Sequence, residues 1–141
     1  MPILKVHHIG IGVANLAASV DFYKAILDEN AVEYIEWATL GLRAATIVAG
    51  NTILEVIEPV EPKGVIAHDL GRLVAEQGTG VHHLAFEVED IDAAVERLKA
   101  HGFQLIDDAP RRVDGGRIAW MGSHPAAGVM IELVEAGYRI C

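Results

Sequence analysis

Apolar and polar residues alternate along several short stretches of the chain, and apolar residues recur at helical spacing between them. Residues 5–13 are rich in β-branched side chains and alternate, which predicts a strand. Asn15 suits a helix N-cap. The helix that it predicts carries an apolar stripe formed by Leu16, Val20, Tyr23 and Leu27.

The rest of the first half continues with strand-like segments and a further helix. Residues 42–49 and 52–58 are predicted to be strands, and Tyr34 to Gly41 is expected to be a loop. Apolar residues at helical spacing predict a short helix over 65–77. Gly78 and Gly80 follow it as a hinge.

The second half of the chain repeats the first. Residues 82–98, HHLAFEVEDIDAAVERL, match residues 7–23, HHIGIGVANLAASVDFY. Further on, VMIELVE at 129–135 matches TILEVIE at 52–58. Each half therefore opens with His-His and closes with a glutamate inside an apolar strand, as expected of an internal repeat.

The repeat predicts a single α+β domain over residues 1–141. Module 1 spans about 1–64, a connecting helix 65–77, and module 2 about 78–137. In module 2, Asp90 caps a helix that Gly102 ends, and the predicted strands are 81–88, 103–107, 117–121 and 128–134. Each module is thus a strand, a helix, and two or three further strands.

Four repeated residues form a candidate metal site. Side chains alternate across a strand, so His8 shares a face with Gly10 and Gly12, while His7 lies on the bulky face that packs against the helix. A carboxylate inside an apolar strand is costly to bury unless it is paired or binds a metal. The repeat provides two such carboxylates, each with a repeated histidine, and the predicted ligands are His8, Glu55, His83 and Glu132.

The ligand types restrict the metal without identifying it. Imidazole and carboxylate together suit Zn²⁺, Co²⁺, Ni²⁺, Mn²⁺ or Fe²⁺. Four such ligands leave room for water or substrate, which is typical of a catalytic site. The isolated histidines, and His82 on the packing face like His7, are expected to have structural or solvated roles.

Composition narrows the function classes. The net charge is −9, with 11 basic and 20 acidic residues, so nucleic-acid binding is not expected. Arg111, Arg112 and Arg117 are either a solvated loop or an anion site for a phosphate-bearing substrate. The sequence has no long apolar run and no signal-peptide pattern, and its one cysteine is Cys141. These features favour a cytoplasmic location with no membrane segment.

The HHIGIGV opening, its HHLAFEV repeat and the two strand glutamates resemble the vicinal oxygen chelate superfamily, which includes glyoxalases, bleomycin-resistance proteins and dioxygenases. Within it, the stretches AHDLGRLVAEQGTGVHHLAFEVEDIDAAVERLKAHGFQLIDDAPR and GGRIAWMGSHPAAGVMIELVE are most similar to the methylmalonyl-CoA epimerase family. The resemblance implies two tandem βαβββ modules that form a cupped, incomplete barrel around one metal ion. It also implies a homodimer.

The family likeness implies that the metal stabilises the enolate of an acyl thioester such as an acyl-CoA, with Glu132 as both ligand and base. The sequence departs from the family in one respect: no carboxylate lies near Ala45, on the strand before Glu55, where the family has its second base. Glu33 and Glu36 are the candidates to replace it.

Three function classes therefore stay open at this point. The first is an epimerase that abstracts a proton next to a carbonyl. The second is another metal enzyme of the superfamily, such as a glyoxalase-type isomerase or lyase, a hydrolase, or an Fe(II) dioxygenase. The third is a resistance protein that sequesters its ligand without a metal.

Overall fold

A computed structural model describes residues 3–27, 31–122 and 124–141. Along the chain, the elements of module 1 and the helix that follows it are β1 (Ile3–Gly12), α1 (Leu16–Leu27), β2 (Val32–Trp37), β3 (Leu42–Ala49), β4 (Thr52–Pro59) and α2 (Val65–Gln77). Those of module 2 are β5 (Gly80–Val88), α3 (Ile91–Ala100), β6 (Arg111–Val113), β7 (Gly116–Met121) and β8 (Met130–Glu135).

Each module has the predicted βαβββ order, and the α+β fold class is confirmed. The strands are ordered β2-β3-β4-β1 in module 1 and β5-β8-β7-β6 in module 2. The chain divides into two compact units, one covering His8–His82 and the other His83–Cys141 together with the start of β1 up to His7. Each unit has its own hydrophobic cluster.

In module 1, α1 packs on one face of the strands. β1 and β4 run parallel, whereas β3 is antiparallel to both β2 and β4. The Asn15 side chain accepts a hydrogen bond from the Ala18 amide, which confirms the predicted cap. The buried cluster on the helix side contains Ile11, Val13, Leu16, Val20, Ala45, Ile47 and Val56.

In module 2, α3 packs on one face of the strands, as α1 does in module 1. β5 and β8 are parallel, and β7 is antiparallel to both β8 and β6. Asp90 caps α3 by accepting a hydrogen bond from Ala93, as predicted. The buried cluster contains Val88, Ile91, Ala94, Val95, Ala119, Met121, Ile131 and Leu133.

Helix α2 covers the other face of module 1 at one end. Ala67 and Leu70 pack with Leu42, Ala44 and Ile57. A Cβ at Gly12 would crowd the side chains of Leu70, Leu73 and Val74, so the glycine allows α2 to approach β1 closely. This end of the face is therefore filled by apolar side chains.

Two local predictions were wrong. The segment expected to be a loop from Tyr34 contains most of β2, a strand that pairs only with β3 at the end of the sheet. Residues 103–107 were predicted to be a strand, but Leu105 forms only an isolated bridge to Met121. Their alternating pattern arises because Phe103 and Leu105 both pack against the core of module 2. The strand lies instead at Arg111–Val113.

The turn that holds β2 and β3 beside β4 depends on Gly41. This residue has a φ of 66°, and its carbonyl accepts hydrogen bonds from Val60 and Glu61. We expect Gly41→Ala to lower the free energy of unfolding by more than about 2 kcal/mol, because left-handed backbone strain adds to overlap with the Glu61 carbonyl. Urea denaturation measures the change.

Gly50→Ala is the matched control. Gly50 has a φ of 65°, but a Cβ there would meet nothing within 4 Å. Its expected cost is the backbone strain alone, about 1–2 kcal/mol. Equal losses in the two variants would contradict the role given to the Glu61 contact.

Candidate metal centre

The register of module 1 places His8 and Glu55 on the same face of the sheet. Glu55 lies beside Gly10 on the parallel strand β1, and His8 shares the face of Gly10 because side chains alternate. Both side chains are buried, with His8 1% and Glu55 5% exposed. The distance from His8 Nε2 to Glu55 Oε1 is 3.8 Å.

Module 2 repeats this arrangement. Glu132 lies beside Ala85, which shares the face of His83. His83 Nε2 is 3.6 Å from Glu132 Oε1, and both residues are buried. Trp120 stands opposite Glu132 on β7, and its ring meets the His83 imidazole edge-on at a centroid distance of 4.8 Å.

The electrostatics of module 1 favour a neutral His8 imidazole beside Glu55. Burial lowers the pKa of His8, and the charge of Glu55 opposes that shift. A neutral imidazole is the form that binds a metal. A carboxylate buried among apolar strands needs a compensating positive charge, which a divalent ion supplies.

The donor atoms are spaced to hold an ion. In module 1 the nitrogen of His8 and the oxygen of Glu55 are 3.8 Å apart, and in module 2 the corresponding atoms of His83 and Glu132 are 3.6 Å apart. Two donors that bind one ion at about 2.1 Å lie at most about 4.2 Å apart. The His8–Glu55 and His83–Glu132 distances satisfy that limit, so the residues present fit a divalent metal.

The first histidine of each His-His pair has a different partner, as the alternation of β1 and β5 predicts. A ring nitrogen of His7, Nε2, lies 2.9 Å from the Tyr138 carbonyl oxygen. The corresponding Nε2 of His82 lies 3.0 Å from Asp69 Oδ2, on α2. Each histidine therefore contacts the segment that follows the last strand of a module: the C-terminal tail for His7 and α2 for His82.

The three arginines proposed as an anion site are engaged to different degrees. Arg117 pairs with Asp92 and Glu135, at N–O distances of 3.0 and 3.2 Å. Arg111 pairs with Asp107 at 3.2 Å, and both Arg111 and Arg112 are exposed. A substrate-binding role for these residues stays a prediction, and acidic neighbours already neutralise Arg111 and Arg117.

Sequence reasoning missed two residues beside the ligands. Thr46 stands opposite Glu55 on β3, and Trp120 stands opposite Glu132 on β7. The two positions correspond in the repeat but carry unrelated side chains. The signal that could have found them is the strand register, which the repeat alone does not provide.

Residues 7–120 match the profile of the glyoxalase/bleomycin resistance protein/dioxygenase superfamily. The chain belongs to this superfamily. The matched segment includes His8, Glu55 and His83, and Glu132 lies beyond it. In the part of this superfamily member that the structure describes, no helix has the length and apolarity needed to cross a membrane.

Several proteins that are similar to this chain are methylmalonyl-CoA epimerases. The mitochondrial methylmalonyl-CoA epimerase of Dictyostelium discoideum is 29% identical over 132 residues, which are 93% of this chain and 78% of that protein. The human mitochondrial enzyme is 29% identical over 133 residues, 94% of this chain and 74% of that protein.

Two solved structures share the fold of this superfamily member. Methylmalonyl-CoA epimerase from Mycobacterium tuberculosis has a TM-score of 0.77 and 28% identity, covering 94% of this chain and 88% of that one. A variant of the Streptomyces coelicolor methylmalonyl-CoA epimerase, in complex with 2-nitronate-propionyl-CoA, has a TM-score of 0.78 and 30% identity. It covers 95% of this chain and 98% of that one.

Removal of one imidazole tests the metal centre directly. We expect His83→Ala to weaken binding of Co²⁺ or Zn²⁺ by at least about 100-fold, because losing even a supporting partner of a ligand costs 10–100-fold. Isothermal titration and metal analysis of the purified protein measure the change.

His101→Ala is the control, since His101 is exposed and its ring nitrogen Nδ1 lies 2.9 Å from the Arg97 carbonyl oxygen. It should bind the ion as the unmodified protein does. Equal affinity in His83→Ala would contradict the proposed ligand set.

Proposed function

We propose that this protein is a metal-dependent epimerase. It inverts the configuration of the carbon next to the thioester carbonyl of methylmalonyl-CoA or a similar acyl-CoA. The observation that carries the proposal is the pair of buried His–Glu contacts, His8 with Glu55 and His83 with Glu132. The similarity to methylmalonyl-CoA epimerases over more than nine-tenths of the chain supports this substrate class.

The metal would be held by His8, Glu55, His83 and Glu132. A bound divalent ion supplies Lewis-acid stabilisation of the negative charge that develops on the carbonyl oxygens when the α-proton leaves. The chemistry of the donors admits Co²⁺, Zn²⁺, Ni²⁺, Mn²⁺ or Fe²⁺.

Glu132 is the proposed base that takes the α-proton. Glu132 is 3% exposed, and it stands opposite Trp120. A carboxylate that is positioned beside the α-carbon can accept the α-proton and keep it near that carbon. The electron pair of the broken C–H bond becomes part of the enolate.

Other features of the function stay predictions. The superfamily also contains lyases and dioxygenases, which the tests below distinguish from an epimerase. A homodimer and a cytoplasmic location are expectations from the family likeness and the composition. Arg111, Arg112 and Arg117 are the proposed phosphate contacts, and Arg111 and Arg112 are exposed.

Substitution of Glu132 tests the proposed reaction. We expect Glu132→Gln, measured with its metal content verified, to lose at least about 100-fold in α-proton exchange for the enantiomer whose α-proton faces Glu132, the contribution usual for a general base. Deuterium uptake from D₂O into methylmalonyl-CoA, followed by NMR, is the measurement. Exposed Glu89→Gln is the control and should exchange normally.

Two outcomes would overturn the proposed function. One is the failure of the metal-loaded, unmodified protein to exchange the α-proton of methylmalonyl-CoA. The other is wild-type exchange in Glu132→Gln. Turnover that depends on O₂ would assign the chain to the dioxygenases of the superfamily instead.

A further inference from the structure

Epimerisation requires an acid or base on each side of the reacting carbon, since the proton leaves from one face and another arrives on the opposite face. Glu132 serves one face in the proposed function, on which the present inference rests. Strand β3, which precedes Glu55, offers no carboxylate between Leu42 and Ala49. The second group must therefore come from another element.

The register of module 1 leads from Glu55 to such a group. Thr46 of β3 lies opposite Glu55, and Glu33 of β2 lies opposite Thr46. Directly opposed residues on antiparallel strands project to the same side of a sheet. Glu33, Thr46 and Glu55 therefore form one row across the strands, on the face that carries His8.

Packing in module 1 supports this assignment of faces. Val32, the neighbour of Glu33, packs on the opposite side with the α1 cluster that contains Ala45 and Ile47. Among the described residues of β1 to β4, the titratable side chains on the His8 face are His8, Glu33 and Glu55. Of these, Glu33 is the one exposed to solvent.

Glu36, the other candidate from the sequence, belongs to the helix side of the sheet. It lies opposite Arg43, which in turn lies opposite Glu58. The Arg43 guanidinium is 3.8 Å from the Glu58 carboxylate, so this face has its own row of charges. The odd spacing between Glu33 and Glu36 places them on opposite sides of β2.

The end of the His8 face beneath α2 is filled by apolar side chains. Ala44 is fully buried, and it packs with Trp37, Leu42, Ile57 and Leu70 beneath α2. The row of Glu33, Thr46 and Glu55 is the polar level beside this apolar end. Glu33 is two strand spacings, about 10 Å, from Glu55 along that row, which leaves space for a substrate carbon between them.

We propose that Glu33 is the second acid/base of the epimerisation. When Glu132 removes the α-proton, the C–H electron pair enters the enolate. The protonated Glu33 carboxyl then donates its proton to the other face, and that electron pair forms the new C–H bond. In the reverse direction the Glu33 carboxylate takes the proton and Glu132 returns one. Solvent restores both carboxyl groups between turnovers.

The test compares Glu33→Gln with Glu36→Gln, a change of the same kind on the same strand. Each metal-loaded variant is incubated in D₂O with each enantiomer of methylmalonyl-CoA separately. In Glu33→Gln we expect epimerisation to fall by at least about 100-fold. The enantiomer whose α-proton faces Glu132 should still take up deuterium with retained configuration, and the other enantiomer should not. Glu36→Gln should behave as the unmodified protein.

The outcomes separate this inference from the proposed function. Wild-type epimerisation in Glu33→Gln, or an equal loss of exchange for both enantiomers, overturns the role of Glu33 while the epimerase stands. Failure of the unmodified protein to exchange either enantiomer overturns the proposed function and the Glu33 role together. Loss of exchange for one enantiomer, with exchange of the other retained, supports the role of Glu33. A general structural defect would affect both enantiomers.

Discussion

The constraint on which this structure depends is the burial of carboxylates within apolar strands. Glu55 and Glu132 are each flanked by apolar neighbours and almost inaccessible to water. Burial of an unpaired carboxylate costs several kcal/mol, so each requires a positive or hydrogen-bonding partner on its own face. The duplicated histidines His8 and His83 stand at that position, and a divalent ion would compensate both carboxylates at once.

The same alternation that brings the ligands together assigns the remaining side chains of the motif. His7 and His82 point away from the ligand face, and their ring nitrogens bind the Tyr138 carbonyl and the Asp69 carboxylate. Each thereby fixes a segment that follows a module, the C-terminal tail in one case and α2 in the other. A two-residue His-His motif thus performs two tasks, because adjacent residues of a strand face opposite ways.

The repeat, the helix caps and the pairing of a buried histidine with a buried glutamate in each module could be predicted, because each leaves a local signal in the sequence. Strand β2 could not: it lies at the end of the sheet, so its pattern, with exposed Tyr34 and Glu36, is weakly apolar. The sequence also could not show which of Glu33 and Glu36 lies on the face of His8. The answer depends on which residue of β3 each one opposes, and that register is set by pairing between strands rather than by the residues themselves.

A duplicated ligand set is symmetric, whereas inversion of a carbon between two enantiomers needs two different proton donors. The modules differ at the position opposite each glutamate. Trp120 stands opposite Glu132 and is nearly buried, so that carboxylate is enclosed. Thr46 stands opposite Glu55 and is small, so the row continues to the exposed edge strand and Glu33. In the proposed mechanism, the divergence of this single repeated position would give two similar halves different roles, with one enclosed base and one solvent-connected acid.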